Sequence, residues 1–153
     1  MDTTTKFEII PLSGAGNLSF GMTPIQVAQV LGAPDQASTN HLKQRTEFRS
    51  FMNVAYTPDQ QEKLCHIGFG RQMEDITLKG INFFKSEPTE VLKKLMSIDG
   101  TPFLYMGFIV FLNLGITLTG FHDNDLSQKA ITLFEQGAWD KRIEKMKEFR
   151  LSE

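Results

Sequence analysis

The strongest constraint on this chain is a short helix, punctuated at both ends, that occurs twice. In FGMTPIQVAQVLGAPDQ, residues 20–36, Thr23 is an N-cap, Pro24 takes the first helical position, and Gln26 stands where a capping box needs Glu or Gln. Met22 and Val27 are spaced as a hydrophobic staple across that cap. Val27, Val30 and Leu31 share a face, Gly32 suits a left-handed C-terminal cap, and Pro34 prevents resumption. A helix this short must be held by packing rather than by propensity.

The device returns 64 residues later in SEPTEVLKKLMSIDG, where Pro88 matches Pro24, Glu90 matches Gln26, Val91 matches Val27 and Leu95 matches Leu31. The same offset carries Ile67 to Ile131 and Phe69 to Leu133, in segments that alternate like strands, and the polar turn TPDQQE to FHDNDL. Helix, turn and strand recurring together predict an internal duplication, about 6–71 and 76–138, within a single domain 1–153. Each half reads as β-α-β-β(-β). The first has strands near 6–11, 47–56 and 64–71 around a helix at 23–31; the second has strands near 76–84, 105–112, 115–121 and 129–136 around a helix at 88–98. The expected fold class is α+β, an antiparallel sheet with short helices on one face. The tail 139–153 reads as a C-terminal helix with Ile143, Met146 and Phe149 or Arg150 on one side.

Residues 102–121, PFLYMGFIVFLNLGITLTGF, form an uncharged run long enough to span a bilayer as a helix. Three glycines, Asn113 in the middle and a series of β-branched residues instead predict two strands turning at Asn113-Leu114-Gly115. A formal net charge of -2 argues against a nucleic-acid binder and against attraction to anionic membranes. The single Cys65 can form no internal disulfide. The start MDTTTKFEII lacks the basic and apolar regions of a secretory signal, so the expected location is cytoplasmic.

The phrase Gly21-Met22-Thr23-Pro24, then Val27, Leu31-Gly32 and Pro34, resembles a signature of small bacterial α/β modules. It is seen in outer-membrane assembly lipoproteins of the SmpA/OmlA type and in relatives sharing the tandem architecture of the β-lactamase inhibitory protein. Cys65 lies mid-chain and no N-terminal lipidation Cys is present, so the lipoprotein role is not carried over. Over a longer span the chain is similar to small cytoplasmic bacterial proteins. The shared order is FEIIPLSGAG, FGMTPIQVAQVLGAPD, a strand pair, GINFF, an EVLKKL helix and a closing strand ending FEQGAW. Such proteins are often encoded near secreted polymorphic toxins, and the resemblance implies an immunity partner that binds protein.

Chemistry is sparse in the residues. His41, His66 and His122 are unpaired at metal-binding spacings, and His122 with Asp123 and Asp125 reads as a polar turn. Cys65 and His66, adjacent on a strand, are expected on opposite faces, with Cys65 a small buried hydrophobe. GAG at 14–16 and GFG at 68–70 lack the rest of a phosphate-binding motif. No metal and no cofactor are expected. What remains is surface: acidic turn tips at Asp59 and Glu62 and at Asp123 and Asp125, with Trp139 as an aromatic anchor or as a lid under the tail.

The expectation is a non-enzymatic module that binds a protein partner, the cognate toxin domain, and neutralises the toxin by occluding its active site. The alternative is a small-ligand-binding protein or enzyme with an apolar pocket between the halves, lined by Phe83, Phe84, Phe108 and Phe111. A homo-oligomer seamed through an edge strand at 115–121 is a third reading.

Overall fold

Both helices form where the capping residues direct. Helix α1, Pro24–Leu31, is closed by a complete capping box: the Gln26 N–H donates to Thr23 Oγ1 at 3.3 Å, and the Thr23 N–H donates to Gln26 Oε1 at 2.9 Å. Helix α2, Pro88–Asp99, has Glu87 as N-cap, accepting from the Glu90 N–H at 3.0 Å. Gly32 and Gly100 end the two helices at φ 84° and 103°, conformations that favour glycine. The computed structural model describes residues 3–123, 125 and 128–151.

Among the described residues, fourteen strands accompany these helices. They are β1 Phe7–Ile10, β2 Gly14–Ala15, β3 Leu18–Ser19, β4 Gln36–Thr39, β5 Arg45–Arg49, β6 Met52–Tyr56 and β7 Leu64–Gly70. After β7 come β8 Ile76–Leu78, β9 Ile81–Asn82, β10 Phe103–Tyr105, β11 Phe108–Phe111, β12 Ile116–Thr119, β13 Ala130–Phe134 and β14 Lys147–Glu148. A large sheet of nine strands runs β14-β10-β11-β12-β13-β7-β6-β5-β4, antiparallel throughout; a small one runs β3-β2-β1-β8-β9, with β1 and β8 parallel. The architecture is α+β, with two sheets where one was expected.

Alternation divides the large sheet into two faces. Val54, Ile67, Phe69, Ile131, Leu133, Ile116, Leu118, Ile109 and Phe111 turn inward and join Phe7, Ile9 and Leu18 of the small sheet and Val27, Val91, Leu92 and Leu95 of the helices in one core. The outer face carries Phe48, Asn53, His66, Gly68, Thr132, Phe134, Thr117 and Phe108, and no helix of the core packs on it.

The four central strands repeat their register. Met52↔Phe69 and Val54↔Ile67 recur 64 residues on as Ile116↔Leu133 and Leu118↔Ile131. The seam between β7 and β13 includes the pair Gly68↔Thr132, itself 64 apart, where a local two-fold axis normal to the sheet would pass. The repeat loosens outward. The β5–β6 hairpin turns in two residues between Arg49 and Met52, and the β11–β12 hairpin in four between Phe111 and Ile116. The parallel β1–β8 pair does not follow that axis.

Several expectations are corrected. The tail is not an α-helix: Asp140–Lys145 is a 3-10 turn, and Lys147–Glu148 adds β14 to the edge strand β10. Trp139 supplies no side-chain cap, while an open strand edge and the Phe149 N–H bond to the Pro102 carbonyl at 2.9 Å compete for the backbone. The run 102–121 yields three strands, because Met106 and Gly107, at φ 49° and 85°, make a two-residue hairpin turn before the expected one. Strand β12 lies inside the sheet between β11 and β13, so it offers no edge for a homo-oligomer. No helix among the described residues is long and apolar enough to cross a membrane.

Candidate functional site

A cleft of about 570 Å³ opens on the outer face over the β7–β13 seam. Its floor is Cys65 and His66 of β7, Thr132 and Phe134 of β13 and Thr117 of β12; its walls are the 40–44 loop on one side and Phe108, Trp139 and Arg142 on the other. The 40–44 loop joins β4 to β5, Phe108 opens β11, and Trp139 and Arg142 follow β13, so the walls rise on both sides of the seam.

A break in the strand period positions the floor. The ladder pairs Ala55 with His66 but Tyr56 with Leu64, leaving Cys65 as an extra bulged residue. The bulge turns Cys65 and His66 to the same side, and both line the cleft. The expectation of opposite faces is therefore corrected, and nothing in the alternation of LCHIGFG could have signalled the bulge. The expected Phe83, Phe84, Phe108 and Phe111 lining is corrected too: Phe83 and Phe111 are fully buried in the core, and only Phe108 reaches the cleft.

The walls are stiffened by local contacts. Asn40 Oδ1 accepts from the Leu42 and Gln44 N–H groups at 2.9 and 3.0 Å, and the Gln44 amide donates to Cys65 Sγ at 3.5 Å. Trp139 meets Tyr105 and Phe134 edge-on, with ring centroids 5.6 and 6.2 Å away, and the Arg142 guanidinium lies 5.9 Å from its ring. Trp139 is thus a wall of the cleft, not a lid on the core. Gly115, at φ 69°, leaves room for the Phe134 carbonyl, which an added Cβ would meet at 2.7 Å.

Burial moves every shifted group on the floor toward its uncharged form. It depresses the His66 imidazolium, pushes the Cys65 thiol up to about 11 with help from the Glu135 carboxylate, and raises Glu135 itself. A neutral thiol is a poor nucleophile. His66 makes no side-chain hydrogen bond among the described residues, and the buried Thr117 hydroxyl has no partner. Among the described residues no group of three or more His, Cys, Asp or Glu could hold a metal ion.

Not all the sequence-derived site residues come together. The Asp59 carboxylate accepts from the Thr57 hydroxyl at 2.9 Å and from the Gln61 and Glu62 N–H groups at 3.0 and 3.2 Å, which hold its pKa below the ordinary carboxylate value. Asp59 and Glu62 stand on the β6–β7 turn, beside the cleft wall formed by Thr57 and Pro58. Asp123 and Asp125 follow β12, which runs opposite to β6 because three antiparallel pairings separate the two strands. The acidic tips therefore lie at opposite ends of the sheet, and Trp139 shares only the Asp59 end. Asn124 and Leu126 of FHDNDL lie outside the described residues.

A second depression of about 360 Å³ runs along the same face, lined by Phe48, Phe51, Asn53, Gly68, Gly70 and Ala130 among others, and Thr132 borders both hollows. Comparison with protein families, with curated proteins and with solved structures finds no match.

Proposed function

We propose that the chain is a non-enzymatic protein-binding module whose outer sheet face receives the partner, and that it acts as a cytoplasmic immunity protein occluding a toxin active site. One observation carries the binding reading. The outer face leaves Phe48, Phe51 and Phe108 exposed at 39, 49 and 36% around two adjoining hollows, instead of hiding them under another layer. Large apolar groups grouped on one open face are the composition of an interface core. The resemblance to toxin-associated proteins supplies the class of partner. The repeated registers and the matching helix caps support two halves related by duplication, joined at the β7–β13 seam, with the partner face built across that seam.

Asp59 and Glu62 flank the cleft end of this face and are placed to steer a basic partner. The test uses the product of the adjacent gene in catalytically disabled form. Asp59→Lys with Glu62→Lys lowers the association rate about tenfold at low salt, and Asp123→Lys with Asp125→Lys leaves it nearly unchanged. Equal effects of the two pairs would remove the cleft end from the binding surface.

A further inference from the structure

We propose that the cleft over the β7–β13 seam is a binding site for a small, neutral, planar aromatic molecule carrying an amide-like donor and acceptor edge. The inference does not rest on the partner reading, since it concerns a free small molecule and the isolated chain.

Size and lining set the class. About 570 Å³ falls within the range of roughly 300–1,000 Å³ common for small-ligand sites, which pair apolar walls with few polar groups. Trp139, Phe134 and Phe108 supply flat apolar walls, and Trp139 is steadied by its ring contacts.

The polar groups point to a ligand more sharply. Thr117 is 5% exposed, lines the cleft, and has a hydroxyl with no hydrogen-bond partner among the described residues. A buried hydroxyl left unpaired is costly and calls for an explanation. The oxygen itself is buried, and a single χ1 step carries it to another staggered position where a ligand can meet it. His66 on the same floor is also without a side-chain hydrogen bond among the described residues. Its imidazolium form is disfavoured by burial, so at neutral pH it presents one ring N–H and one bare ring nitrogen. Thr117 and His66 each offer a donor and an acceptor, and since they stand two strands and two residues apart in the register, one amide edge answers one of them, Thr117.

Charge is excluded by the same floor. The floor residues Cys65, His66, Thr117, Thr132 and Phe134 include no Asp, Glu, Lys or Arg, and the two charged residues that line the cleft, Glu135 and Arg142, are opposite in sign. An ionised ligand head entering here would lose hydration without a counter-charge beneath it.

The sole Trp of the chain is Trp139, so its one indole N–H resonance reports on the cleft directly. The experiment titrates naphthamide, and its anionic isostere naphthoate, into the isotope-labelled protein. The expected result is a saturable Trp139 shift with naphthamide at a Kd below about 1 mM, in line with a fragment of this size. Naphthoate binds at least about tenfold more weakly, and Thr117→Val weakens naphthamide about tenfold while thermal stability holds or rises. No saturable shift with naphthamide would overturn the site. Equal binding of naphthoate, or unchanged affinity in Thr117→Val, would overturn the ligand class and the role of the hydroxyl.

Discussion

Glu47 shows how far a single residue departs from what alternation implies. In RTEFR the charged side chains share one face and Phe48 the other, which reads as charges outward. The structure inverts this: Glu47 and Arg49 are 2 and 3% exposed, and Phe48 is outside. Burial on its own would raise the Glu47 pKa. The Tyr56 hydroxyl at 2.8 Å, Arg45 Nε at 2.9 Å and Arg49 Nη1 at 3.0 Å prevail and hold it below the ordinary carboxylate value. Arg49 Nε also donates to the Gly32 carbonyl at 3.1 Å, tying the end of α1 to the sheet. Glu47→Gln leaves Arg49 buried without a full counter-charge and is expected to cost about 3–5 kcal/mol in urea unfolding. Linkage fixes the pH dependence. His66 and Glu47 both have folded pKa values below their unfolded ones, so each contributes stability above its unfolded pKa that is lost as pH falls. Stability should decline in two steps, beginning below about 6.5 for His66 and below about 4.3 for Glu47. His66→Gln removes the upper step, and urea midpoints measured from about pH 8 down to about pH 2 read both. This network was illegible in the sequence because its partners meet only once the strand pairs with its neighbours.

At the scale of elements, legibility follows how local the signal is. Both helices begin where the caps predicted, since the N-cap and the Pro at the first position act within the first turn, joined in α1 by the N3 acceptor Gln26. Thr23→Ala breaks the capping box and should cost about 1 kcal/mol, measured by thermal or urea unfolding. Strands β6, β7, β12 and β13 were legible from alternation and β-branched content. Strands β2, β3 and β9 are two residues each, too short to carry a period. The expected strand at 47–56 proved to be the hairpin β5–β6, turned at Ser50 with φ 51°, an unusual conformation for a non-glycine residue that no turn dipeptide announced. The tail failed for a different reason. Its helical spacing was real, but an available edge on β10 decided its conformation.

For the whole molecule, the β6–β7 and β12–β13 registers recur at the same 64-residue offset as the helix caps in the sequence. The site was less legible. Trp139, Asp59 and Glu62 gather at one end of the sheet, whereas Asp123 and Asp125 lie at the other, a separation set by strand direction. The cleft floor depends on the bulge at Cys65, which leaves no local trace. The central claim is that the outer face of the large sheet, not the layer of helices and small sheet, meets the partner. The most direct measurement is the affinity of the disabled neighbouring gene product for Phe51→Asp and Phe108→Asp on the outer face, against Ile25→Asp on α1, where Ile25 is 74% exposed. The account predicts that each outer-face variant weakens binding at least about a hundredfold, as truncated interface anchors do, and that Ile25→Asp binds like the parent. Tight binding by both outer-face variants, with loss in Ile25→Asp, would place the partner on the opposite side of the molecule and contradict it.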